Sequence, residues 1–138
     1  MISSKELDKI SRARIKDAII LFKNKGYDGA LYICGYSIEV ALKAIICKNL
    51  RLNGIPHTTE EFNNIARIKT HNIEELLKMT PSNINGKIKG KYFADWSIVL
   101  LWNPEMRYAP IKGKQKKNQA SGAISSAQKI LRYLWKQL

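Results

Sequence analysis

Residues 27–52, YDGALYICGYSIEVALKAIICKNLRL, decide the fold. No proline interrupts them, and apolar side chains occupy nearly every angular position. A helix of that kind has to be covered on several sides. Its polar residues are not scattered. At about 100° per residue, Tyr32, Tyr36, Glu39 and Lys43 project at about 0°, 40°, 340° and 20°. Asp28 extends this seam by one turn. Glu39 and Lys43 stand at i, i+4 with the acid first, the order that favours pairing along a helix. The seam reads either as an ion pair closed on itself at the edge of a bundle or as the polar floor of a cleft. The second reading requires a residue from elsewhere to converge on it.

Upstream, Ser3 and Glu6 form an S-x-x-E capping box, so a first helix is expected from near Ser4. Leu7, Ile10, Ile15, Ala18, Ile19, Leu21 and Phe22 share one face of it. Lys23 and Lys25 suit its C-terminus, and Gly26 is expected in the left-handed cap position. The short turn to Tyr27 predicts an antiparallel hairpin of the first two helices.

Downstream, Asn53, Gly54 and Pro56 stop the long helix. An irregular stretch to Thr70 carries His57 and a Thr58/Glu61 cap for a short helical turn. THNIEELLKM predicts a helix of about ten residues with His71 at its start. The bland reading of His71 is a local contact to helix-end backbone or a partner loop. Pro81 to Gly90 reads as a Ser/Asn/Gly/Lys turn region. A helix is expected from about Lys91 to Trp102, ended by Asn103-Pro104, followed by WNPEMRYAP between two prolines. The last helix is expected over about 118–138, with a strong apolar face and Lys129, Arg132 and Lys136 opposite. No strand alternation competes. The fold class is all-α: one domain over 1–138, a bundle of four main helices plus one or two short ones.

The chain has 138 residues, 45% hydrophobic and 25% charged, which is ordinary for a globular domain with a real core. Twenty-four basic residues against eleven acidic ones give a net charge of +13, and no acid follows Glu105. That asymmetry favours a polyanionic partner, nucleic acid ahead of a membrane. No charge-free apolar run reaches about 18 residues, so no membrane span is expected. MISSKELDKISRAR lacks the apolar core of a signal peptide. Cys34 and Cys47 lie on one helix about 20 Å apart, too far to bridge, and read as buried hydrophobes in a reducing, cytoplasmic setting. Walker and Rossmann phosphate loops, HExxH and metal-ligand spacings are absent, so neither a cofactor nor a metal is expected.

YDGALYICGYSIEVALKAII, then HNIEELL after a long loop, then WNPEMRY, then an amphipathic helix ending YLW, resembles a HEPN domain (higher eukaryotes and prokaryotes nucleotide-binding). The resemblance covers nearly the whole chain. It implies an up-and-down helical bundle, usually a homodimer, with its cleft at or near the dimer interface. Relatives include RNases of toxin–antitoxin, phage-defence and CRISPR systems, and non-catalytic binders encoded beside a minimal nucleotidyltransferase.

Family RNases carry a histidine four to six residues after an arginine. Arg107 matches the arginine, but no histidine follows through Lys114. Metal-independent RNA cleavage needs a base for the attacking 2′-hydroxyl and a cation for the phosphorane. Arg107 would supply the cation; Tyr108 is a poor base, and His71 lies outside the motif. The resemblance further implies that the arginine loop packs near Glu39, either as a structural pair or in a cleft lined by Tyr32, Tyr36 and Lys43. Three readings follow. The leading one is RNA or nucleotide binding, with Lys112, Lys114, Lys116 and Lys117 as flanking phosphate contacts. The second is an RNase using Arg107 with His71 or a water-borne base. The third is a protein-interaction module for an antitoxin-type nucleotidyltransferase, modified at Tyr108.

Overall fold

The 27–52 stretch forms a helix from Tyr27 to Asn49, and the other long helices are placed by the way they cover it. The computed structural model describes residues 1–52, 54–55, 66–107, 113 and 115–138, with backbone alone at Ala66, Arg67 and Arg107. His57 and the expected Thr58/Glu61 cap lie outside the described residues. The chain runs through α1 (Ser4–Lys23), α2 (Tyr27–Asn49), the 3₁₀ turn η1 (Ala66–Lys69), α3 (Ile73–Lys78), α4 (Ser82–Lys89), α5 (Phe93–Val99), η2 (Pro104–Arg107) and α6 (Lys116–Trp135). Among the described residues there is no strand, only an antiparallel bridge between Ile2 and Ile55. The fold is all-α, as expected, although the fourth of the expected main helices is short: α5 has seven residues.

α2 is buried from Ile38 through Cys47 without a break. It is long and apolar enough to cross a membrane by length and composition, and 72% of that apolar window is buried against other helices here. α1 packs antiparallel along one side and α6 along another. Three polar side chains tie these helices together inside the core. Ser37 donates to the Ser11 carbonyl at 2.9 Å, and the Trp135 indole donates to the Ser11 hydroxyl at 3.0 Å. The guanidinium of Arg12 then lies 4.4 Å over the Trp135 ring.

The capping box at Ser3 is present: Ser3 Oγ accepts from the Glu6 amide and Glu6 Oε2 accepts from the Ser3 amide. Those bonds to Ser3 hold the Glu6 carboxyl below its ordinary range. The hairpin turn differs from expectation in one residue. Lys25, not Gly26, takes the left-handed conformation, with φ 62°. The Lys25 amide bonds the Phe22 carbonyl and the Gly26 amide bonds the Leu21 carbonyl, the two bonds of a Schellman motif. Gly26 has a negative φ, and a Cβ there would sit tightly, 3.3 Å from the Leu21 carbonyl oxygen.

The stretch expected as a turn after Pro81 is helical over Ser82–Lys89. Ile84 and Ile88, one turn apart, are both buried, and that burial overrides the poor helix propensity of Ser82, Asn83, Asn85 and Gly86. α5 is joined to α6 by Asp95, which accepts from the Ser126 hydroxyl at 2.9 Å and faces Lys129 at 3.9 Å.

Trp102 fixes the segment after α5 onto α2. Its ring lies over Gly35, where an added Cβ would be 2.1 Å from the indole Cγ, and its Nε1 donates to the Tyr32 carbonyl at 3.0 Å. Gly35→Ala is therefore expected to destabilise the protein by about 1–3 kcal/mol or more through forced displacement of the indole. Urea unfolding with near-ultraviolet dichroism reads both effects, and a change within about 0.5 kcal/mol would contradict this packing.

Candidate functional site

The polar seam of α2 is not closed on itself. Glu39 is 2% exposed, and its Oε1 accepts from Lys43 Nζ at 2.9 Å and meets His71 Nδ1 at 2.8 Å. Among the described residues, the one that converges on Glu39 from elsewhere in the chain is His71, 32 positions along. Its position follows from the way α3 begins. Asn72 caps that helix, its Oδ1 accepting from the Glu74 and Glu75 amides, while Thr70 Oγ1 accepts from the Asn72 amide. His71 sits between those two side chains in sequence, with its backbone set by both. Glu74 ties α3 onward, pairing with Lys89 of α4 and accepting from the Trp96 indole of α5.

With Glu39 ionised, His71 Nδ1 donates to it, which leaves Nε2 on the opposite edge of the ring. The side chain of His71 is 61% exposed, against 3% for Glu39 and 11% for Lys43. A buried anion therefore orients an accessible imidazole. His71 also lines a cavity of about 360 Å³ with Ile73, Leu100, Trp102, Asn103 and Pro104. On its other side Trp102 borders an apolar cavity of about 350 Å³, lined among others by Leu31, Gly35, Val99, Met106 and Ala123. Trp102 thus lines both cavities, the mixed one beside His71 and the apolar one beside Gly35.

The remaining expected site residues divide clearly. Tyr36 is half-buried beside Glu39, and burial first, then the Glu39 and Tyr32 charges, push its phenol above the ordinary value, with Arg14 of α1 opposing. A phenol shifted in that direction is not a base at neutral pH. Tyr32 turns toward Trp102, with ring centroids 6.1 Å apart. Lys116 pairs with Asp28, joining the start of α6 to the start of α2, while Lys117 is exposed. Arg107 closes η2, which packs on α2, but its side chain lies outside the described residues, as do Tyr108, Lys112 and Lys114. The expected Glu39–Arg107 contact is therefore not described, and the described partners of Glu39 are Lys43 and His71.

Sequence reasoning did not find one of the groups that build this site. Trp102 was read only as the end of a helix; the one signal for its role is Gly35, a gap in an otherwise bulky helix. Cys34, at the apolar cavity, contacts the Ala123 carbonyl at 3.4 Å, and burial pushes its thiol up to about 12, so it is inert there.

The pairing makes a stability prediction. Glu39→Ala leaves Lys43 buried without its anion and is expected to cost about 3–5 kcal/mol. His71→Ala, at an exposed position, is expected to cost no more than about 1 kcal/mol. Urea melts of the two variants check this, and equal losses would contradict it.

Comparison with curated proteins and with solved structures yields no match. The HEPN domain family, by contrast, matches residues 4–138, from the first turn of α1 through α6. With an all-α bundle organised on α2 and a match over nearly its whole length, the chain belongs to the HEPN domain family.

Proposed function

We propose that this chain binds RNA or a nucleotide at the side of α2 where Glu39, Lys43 and His71 meet. Family membership supports a nucleotide- or RNA-related function in general terms. The observation that carries the specific reading is the buried Glu39 carboxylate holding an exposed imidazole at the rim of a cavity. Structural ion pairs do not need an accessible member, whereas a binding site does. Of the two cavities that Trp102 lines, the apolar one suits a base, and the one that His71, Asn72 and Asn103 line offers polar groups to a ribose and phosphate. The net charge of +13 supports a polyanion, with Lys117 among the described flanking contacts and Arg107, Tyr108, Lys112 and Lys114 proposed beside it.

A partner surface is supported by a separate observation. Phe93, Ile98, Leu100 and Leu101 are 64%, 41%, 40% and 73% exposed on and just after α5, and Ile98 and Leu101 line the apolar cavity. Such a patch fits the homodimer expected for this family, or an antitoxin-type nucleotidyltransferase partner. The setting we propose is a cytoplasmic toxin–antitoxin or defence system.

Binding of a labelled single-stranded RNA, followed by fluorescence polarisation, tests the reading. Neutralising about four phosphates predicts a roughly 50-fold loss of affinity between about 50 and about 200 mM salt. Lys117→Ala is expected to shrink the log–log salt slope by about 0.7. A flat salt dependence, or no binding at the lowest salt, would contradict it.

A further inference from the structure

We infer that the apolar cavity between α2, α5 and α6 is an adenine-reading pocket, with Asn118 and Gln119 as the residues that select the base. The inference rests on the RNA- or nucleotide-binding reading and deepens it, by naming the base that enters the cavity.

The lining decides the chemistry. At about 350 Å³ the cavity falls within the usual size range of small-molecule sites, about 300–1,000 Å³. None of the described side chains that line it is charged, in a chain whose net charge is +13. Two of its polar groups are already engaged by the protein. The Trp102 Nε1 donates to the Tyr32 carbonyl, and the Cys34 thiol contacts the Ala123 carbonyl at 3.4 Å. Trp102 therefore offers a ligand only its ring, and Met106 offers a thioether that packs well against an aromatic edge. Among the described lining residues, the side-chain groups left to hydrogen-bond a ligand are the amides of Asn118 and Gln119, exposed at the start of α6.

Those amides choose among the bases. A carboxamide carries one donor and one acceptor side by side, which matches the N6 amino group and N7 of adenine. Guanine presents two acceptors on that edge, O6 and N7, for which a guanidinium or an ammonium is the fitting partner. The amino group of cytosine calls for a carboxylate. The described lining holds none of these charged groups. A two-ring base also covers more apolar wall than uracil does. Gly122, one turn after Asn118 and Gln119, leaves the space beside them open, because a Cβ there would meet no heavy atom within 4 Å.

The experiment measures binding of the full chain to four RNA hexamers by fluorescence polarisation: hexauridylate, and the same strand with adenosine, guanosine or cytidine at one central position. All four carry the same phosphates, so backbone contacts cancel in the comparison. The adenosine strand is expected to bind about 10-fold more tightly than each of the others. The double variant Asn118→Ala, Gln119→Ala is expected to bring the adenosine-to-guanosine ratio close to one. Gly122→Leu, which fills unobstructed space at a helical position, is expected to remove the preference for adenosine over uridine. Asn118 and Gln119 are exposed and Gly122 is unobstructed, so these variants remain folded. Four equal affinities, or a preference for another base, overturn the pocket assignment and leave the binding reading standing. A preference for adenosine that persists in either variant also overturns it. No binding of any strand overturns both readings.

Discussion

A carboxylate taken almost wholly out of water has to be matched inside the protein, because an uncompensated buried charge costs several kcal/mol. Glu39 stands at that point in the middle of α2. Half of the answer is local, since Lys43 one turn later supplies the opposite charge. The other half is not. His71 reaches the same oxygen only because Asn72 and Thr70 fix the start of α3, and α3 holds its place through Glu74, which bonds to both α4 and α5. One buried anion thus connects the central helix to every short helix on that side.

A second constraint acts through space rather than charge. Gly35 leaves a gap in α2 that the Trp102 ring fills, and the indole N–H anchors to the Tyr32 carbonyl one turn earlier. This brings the chain after α5, and η2 with it, onto the helix that carries Glu39. Charge matching and the glycine gap together gather segments that are about 30 to 70 residues apart onto one side of α2. Both constraints also limit which groups are left to act. Lys43 and Lys116 are held by acids, the Cys34 thiol is inert, and the Tyr36 phenol is shifted upward. Of the described groups on Glu39, the accessible one is the imidazole of His71.

Much of the fold could be read from the sequence because it depends on local pattern. The Ser3/Glu6 box starts α1, the all-round apolar stretch is buried as α2, and the apolar face of α6 packs inward. The stripe of Tyr32, Tyr36, Glu39 and Lys43 was visible from angular spacing alone. Its partner was not, because no local pattern says that residue 71 returns to residue 39. The resemblance pointed to Arg107 for that place; its side chain lies outside the described residues, and the described partner from elsewhere is His71. α4 was missed for a related reason: its Ser, Asn and Gly residues favour a turn, and only the burial of Ile84 and Ile88 makes it a helix. Lys25 likewise takes the left-handed position expected of Gly26, a choice that no local pattern in the turn marked.

The most direct test of the central claim, that Glu39 orients His71 toward a bound RNA, is nitrogen-15 NMR of the His71 imidazole during titration with a short RNA. At a pH where the ring is neutral, the account predicts the hydrogen on Nδ1 and a bare Nε2 in the free protein, with both signals moving as RNA binds. A neutral ring carrying its hydrogen on Nε2, or a His71 whose signals stay fixed while RNA shifts other residues, would contradict it.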